Sequence, residues 1–339
     1  MPGTSLDARD SSPKKRDLAT PSFALRSKPV FVNRFGHFRA GWRIAIYFGI
    51  TALITAAALG VRRLFPDQNG AETGPDWESP AFAIGYAVLV LLAVLAAWVT
   101  LRWADRRPFG ALGLSPTPGW AREFLLGVGF GGGSVALVFL ISWGLGFITV
   151  TAAGFSWTLA GYLLRGLAVI AVAATMEELV MRGYPFQAVV EGTGTWIAVL
   201  LFSLTFGLLH MQNKNWTWIG VLNIAFLGVL FSAAYLKTRS LWMPIGLHIA
   251  WNWIQGFLLG MNVSGVEIRR SVLVSQPKGP DFLSGGAFGA EGSLLASAVL
   301  VGLSFYVFRA EWLRPSAANA AIWRRFPAGY GIPPAEPGP

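Results

Sequence analysis

The chain contains no cysteine, which removes disulfides, thiolate metal ligands and a cysteine nucleophile together. Histidine is scarce, with three in 339 residues: His37, His210 and His248. Charged residues make up only 13% of the sequence, against about 25% in soluble domains, and this shortage sets the class as a polytopic membrane protein. No H-E-x-x-H occurs, so the familiar zinc-protease helix is absent. No internal repeat is visible, which weakens a transporter built from inverted halves. An early apolar segment is also lacking; the first forty or so residues are too polar for a cleavable signal peptide, and targeting is expected to rest on the first transmembrane helix.

What is abundant is apolar sequence, 54% of the chain. Runs of a length to span a bilayer, about 20 residues each, begin near Gly41, Pro80, Arg122, Leu159, Thr195, Trp216, Leu241 and Ser293. The expected fold class is therefore an all-α polytopic membrane protein, a bundle of about eight transmembrane helices. The formal charge is +10, and much of it sits in the N-terminal arm. Arg9, Lys14, Lys15, Arg16, Arg26, Lys28, Arg34, Arg39 and Arg43 oppose only Asp7, Asp10 and Asp17. A basic arm against the first span is a positive-inside and anionic-lipid signal. Nucleic acid is not expected as a partner, because no recognition motif accompanies the charge.

The arm, residues 1–40, is rich in Ser, Pro and charge and reads as disordered and cytoplasmic. His37, among Phe35, Phe38 and Arg39, reads as interfacial, without chemistry. The first two helices occupy 41–101. The loop after the first mixes Arg62 and Arg63 with Asp67, Glu72, Asp76 and Glu78, whereas the next carries Arg102, Arg106, Arg107 and Arg122. With Lys237, Arg239 and the arginines of the tail, residues 311–339, this places both termini in the cytoplasm. Residues 262–291 become an outer loop, although Arg269 and Arg270 run against the rule. The Ala-, Gly- and Trp-rich composition with compact loops points to a bacterial cytoplasmic membrane. Trp216, Trp218, Trp242, Trp251 and Trp253 read as interfacial anchors. Gly127-Val128-Gly129-Phe130-Gly131-Gly132 fits G-x-G-x-x-G, but no strand precedes it. It reads as close helix packing, through Gly129 and Gly133 at G-x-x-x-G spacing.

Against this background Glu177, Glu178 and Arg182 stand out, since each costs roughly 2.5 to 3.5 kcal/mol inside a bilayer and so calls for a partner or a purpose. On a helix Glu178 and Arg182 share a face at i, i+4, while Glu177 points about 100° away without that partner. Phe206 and His210 show the same spacing on the fifth run, and His248 and Asn252 on the seventh. At about 1.5 Å per residue the groups converge some 10 to 20 Å below the cytoplasmic face, provided the fourth helix runs past Arg182 and the fifth is short or tilted. A carboxylate, two imidazoles and an amide suit hydrolysis, with the acid taking a proton from water and the polar groups binding an oxyanion. The same groups also suit Zn²⁺ held by Glu177, His210 and His248, a proton or ion path, or polar glue between helices.

Glu177-Glu178-x-x-x-Arg182, Phe206-x-x-x-His210 and His248-x-x-x-Asn252, in this order on apolar runs, resemble the motifs of the CPBP family. That family comprises type II CAAX prenyl proteases and bacteriocin-processing and immunity relatives. The likeness takes in 107–114 and 286–293 and frames a protease domain at 102–310. It implies an eight-helix intramembrane endopeptidase with a cavity open to the cytoplasm. By position Glu177 and His210 activate water, and His248 and Asn252 form the oxyanion site. Glu178, Arg182 and Phe206 support them. The implied substrate is a peptide or a lipidated, membrane-associated protein, with membrane lipids as further partners. No cofactor is favoured, because Asn252 is a better oxyanion donor than zinc ligand. A zinc form and a non-catalytic scaffold or immunity protein are the alternatives. Oligomeric state is not legible.

Overall fold

A computed structural model of the chain describes residues 31, 38–64, 80–154 and 156–324. Most of the basic arm, His37, the acidic loop at 65–79 and the tail beyond 324 lie outside the described residues. The long helices are α1 (Ala40–Leu64), α2 (Pro80–Trp103), α3 (Trp120–Gly144), α4 (Trp157–Arg182), α6 (Thr195–Leu209), α7 (Trp218–Thr238), α8 (Trp242–Trp253) and α10 (Leu294–Arg309). Between them lie α5 (Tyr184–Thr193) and the one-turn α9 (Asp281–Ser284), and α11 (Ala317–Arg324) follows the last span. The fold is thus an all-α polytopic membrane protein, and the eight expected runs begin where helices begin. By length and composition, four stretches are able to cross a membrane: Trp120–Gly144, Trp157–Thr193, Thr195–Gln212 and Trp218–Thr238.

Local chemistry explains several of these boundaries. Ser156, Thr217 and Ser293 each accept the backbone N–H three residues on, which caps α4, α7 and α10. The break between α4 and α5 falls at Gly183, where a Cβ would lie 2.1 Å from the Leu179 carbonyl. Pro185 lies in the first turn of α5, where its missing N–H costs nothing. The π-turn Ile254–Leu258 continues α8.

The uncharged loop at 149–158 and the long loop at 262–291 hold an element that the apolar runs did not foretell. Strands β1 (Ile148–Ala152) and β2 (Leu273–Pro277) pair antiparallel, with Val150 opposite Ser275. Both loops therefore lie at the same end of the bundle.

Two cores flank α8, whose residues 243–251 are all buried. Leu247 and Trp251 join a core with Phe139, Phe206 and Phe231, while Ile245 and Ile249 join another with Leu101, Leu179 and Phe186. Trp251 is therefore a core residue rather than an interfacial anchor. The glycine-rich stretch of α3 packs closely against α8, but not through the expected pair. A Cβ at Gly127 would sit 2.1 Å from the Met243 carbonyl oxygen, one at Gly131 2.2 Å from that of Leu247, and one at Gly246 2.3 Å from that of Phe124. Gly129 and Gly133 meet nothing within 4 Å. The contact uses the other register of the same stripe, because the partner backbone lies on that side.

Candidate active site

The site is assembled from α4, α6, α7 and α8. Near the C-terminal end of α4, one helical step separates two glutamates of opposite character. Glu178 is fully buried, and its Oε1 accepts from Arg182 Nη1 at 3.1 Å. Arg182, also fully buried, donates through Nη2 to the Gly228 carbonyl of α7 at 3.1 Å. Its guanidinium lies over the rings of Phe206 and Phe231, 4.8 and 5.1 Å from their centroids. A permanently charged group is thereby neutralised by one carboxylate, one carbonyl and two ring faces.

His248 completes this arrangement. Its Nδ1 lies 3.0 Å from Glu178 Oε1, and Nε2 lies 3.8 Å from Glu177 Oε2. The first is a hydrogen bond; the second is too long for one. Phe231 stacks on the imidazole at 4.8 Å and Phe206 meets it edge-on at 6.0 Å. The Glu177 side chain is 37% exposed, yet its Oε2 is buried and has no hydrogen-bond partner among the described residues. A carboxylate oxygen held in this way, facing a ring nitrogen, is available to a donor brought between them.

His210 ends α6, and its Nδ1 donates to the Phe206 carbonyl at 2.7 Å. Phe206 also touches the His210 ring, at 4.8 Å between centroids, so this one phenyl ring contacts Arg182, His210, His248 and Phe231. Asn252 lies one turn beyond His248, half-buried and without a hydrogen-bond partner among the described residues. The structure therefore joins Glu177, Glu178, Arg182 and His248 directly, reaches His210 through Phe206, and sets Asn252 on the same face of α8 as His248.

The helix lengths depart from the expected ones. The fourth helix ends at Arg182 instead of running past it, and the acid is kept inside the protein because α5 is itself buried from Tyr184 to Val190. The fifth is short, at 15 residues. Sequence reasoning missed Phe231 and the Gly228 carbonyl, since a Phe and a Gly in an apolar run carry no polar signal. It also missed the glycines that let α8 approach α3. Zinc held by Glu177, His210 and His248 needs three donors around one point. Among the described residues no three His, Asp or Glu side chains are so gathered.

Comparison with known proteins picks out the same part of the chain. Residues 159–254, which contain all three motifs, match the family model for type II CAAX prenyl endopeptidase Rce1-like proteins. The likeness read from the motifs is thereby confirmed. The flanking segments at 107–114 and 286–293 lie outside the match. A curated relative, "Putative membrane peptidase YdiL" of Bacillus subtilis (strain 168), is 29% identical over 117 residues. That alignment covers 34% of this chain and 43% of the relative, so it spans less than half of the relative's length. No solved structure matches the chain.

Proposed function

From the premise that residues 159–254 of this membrane protein carry a segment of the CPBP, Rce1-like family, we propose that the chain is an intramembrane endopeptidase. Its substrate is a peptide or a lipidated, membrane-associated protein. The observation that carries this reading is Glu177 Oε2, a carboxylate oxygen in a membrane helix with no hydrogen-bond partner among the described residues, 3.8 Å from an imidazole nitrogen. Glu178 is fully buried and tied to Arg182 and His248, whereas the Glu177 side chain is 37% exposed and so within reach of water.

In this reading Glu177 takes a proton from water as its oxygen attacks the scissile carbonyl, and passes that proton to the leaving amine. His210, His248 and Asn252 provide the remaining polar groups, and the Asn252 amide supplies N–H donors for the oxyanion. The chemistry is metal-independent. Purified protein in detergent, given a fluorogenic peptide library, is expected to cleave some peptides with or without chelator. Glu177→Gln should lower turnover by about 10²-fold or more. Loss of cleavage in chelator with recovery on adding Zn²⁺ would reject the metal-free scheme. A Glu177→Gln protein as active as the wild type would reject the assignment of the base.

A further inference from the structure

Each of the two histidines has one ring nitrogen against an acceptor. We propose that Glu178 is a positioning residue that holds His248 as the neutral Nδ1–H tautomer, making Glu177 and His248 the pair that receives the attacking water. This assignment differs from the one implied by the motif order, in which His248 donates to the oxyanion. Its chemical half rests on the peptidase reading; the tautomer does not.

Arg182 is always charged and fully buried, so the carboxylate that neutralises it is ionised. An ionised carboxylate only accepts. The 3.0 Å contact between Glu178 Oε1 and His248 Nδ1 therefore requires the proton on Nδ1. A neutral imidazole has one N–H, so Nε2 presents a lone pair. That lone pair faces Glu177 Oε2, itself an acceptor, across 3.8 Å. Two acceptors that cannot bond each other are served together by one molecule with two donor hydrogens, and water is such a molecule.

His210 follows the same logic. A carbonyl only accepts, so the 2.7 Å contact with Phe206 O puts a proton on Nδ1 of His210 and leaves its Nε2 as an acceptor. Neither neutral imidazole then offers an N–H to an oxyanion. Asn252, on the same helix face as His248, does so through its amide. The step balances: the water oxygen bonds to the carbonyl carbon, one water proton passes to the Glu177 carboxylate, the C–N bond breaks, and that proton leaves on the amine nitrogen. The other stays on the oxygen until the product acid ionises.

Three histidines in the chain make the test direct. Full-length protein labelled with ¹⁵N-histidine in detergent micelles, with His37→Gln and His210→Gln variants for assignment, reports the protonation of each ring nitrogen. At neutral pH His248 should show a protonated Nδ1 and an unprotonated Nε2. Glu178→Leu combined with Arg182→Met replaces the buried pair by apolar side chains, a change that is often tolerated. In that variant the Nδ1–H form should cease to dominate, and turnover should fall about 10²-fold with little change in KM. A proton on Nε2 of His248 in the wild type, whether alone or with one on Nδ1, overturns the proposal. So does an unchanged Nδ1–H spectrum in the double variant. Should the tautomer be as stated while no variant affects cleavage, the water-activating pair is overturned and the positioning contact stands.

Discussion

Glu177 and Glu178 are chemically identical neighbours, and a rotation of about 100° along α4 gives them opposite surroundings. One is fully buried against Arg182 and His248; the other has a side chain that is 37% exposed and faces only the far nitrogen of His248. Their isosteric variants should separate accordingly. Glu178→Gln leaves a buried guanidinium without its counter-ion, at a cost of about 3–5 kcal/mol. Glu177→Gln removes no ion pair with an arginine and should leave the thermal midpoint within the error of measurement. Thermal unfolding of the two purified variants checks this, and equal losses would contradict the division. The half of this arrangement that is local, Glu178 with Arg182, was legible in the i, i+4 spacing. The half that joins Glu178 to His248 was not, because the partners stand 70 positions apart and each had a sufficient partner nearer in sequence.

At the scale of the element, the position of His248 depends on how close α8 comes to α3. The contact is made by backbone, since Gly127, Gly131 and Gly246 each leave room for a carbonyl oxygen where a side chain would stand. Gly131→Ala should force the helices apart at a cost of about 1–3 kcal/mol or more. It should also displace His248, with turnover falling about 10²-fold for a shift near 1 Å. Gly129→Ala and Gly133→Ala, which meet nothing, should change stability by no more than about 1 kcal/mol, the difference in helix propensity. Detergent-solubilised melts of the three variants decide the matter, and a Gly129 variant as damaged as the Gly131 variant would place the interface in the wrong register. The sequence showed that a glycine stripe existed but not which register the partner takes, because 127/131 and 129/133 have the same spacing. Likewise α5 read as a continuation of α4, since its Tyr184, Phe186 and Val189 are as apolar as a span.

Across the whole molecule, two buried polar networks lie near the two ends of α7. Near its C-terminal end, Tyr235 meets Phe186 of α5. There Arg43 of α1 pairs with Asp105 and Glu191 and donates to Tyr184, while Arg107 joins Glu191 at 2.5 Å. Arg43 and Arg107 were read as surface charges facing lipid and cytoplasm, yet both are buried. Charge counts along a sequence cannot see that distant acids reach them. At the other end, Asn223 of α7 donates to the carbonyls of Glu291 and Ser293. The Glu291 side chain accepts from Gln255 at 2.5 Å and from Ser264 at 3.1 Å.

Glu291 lies between spans and is fully buried, and that burial pushes its carboxyl up from the ordinary range, against the opposing hydrogen bonds from Gln255 and Ser264. The folded protein therefore holds a proton there more tightly than the unfolded chain does. The sign follows: stability from this group is complete below the unfolded value, about 4.3, and declines as pH rises from there to the folded value. Glu291→Gln keeps the shape of the protonated acid and removes the titration. Thermal midpoints taken from about pH 4.5 to pH 8 should fall for the wild type relative to the variant as pH rises. Hydrogen exchange at residues 285–293 should show the same divergence, because these residues surround the carboxyl. Curves that run parallel across the range would show that this end of the molecule is held without help from the Glu291 proton.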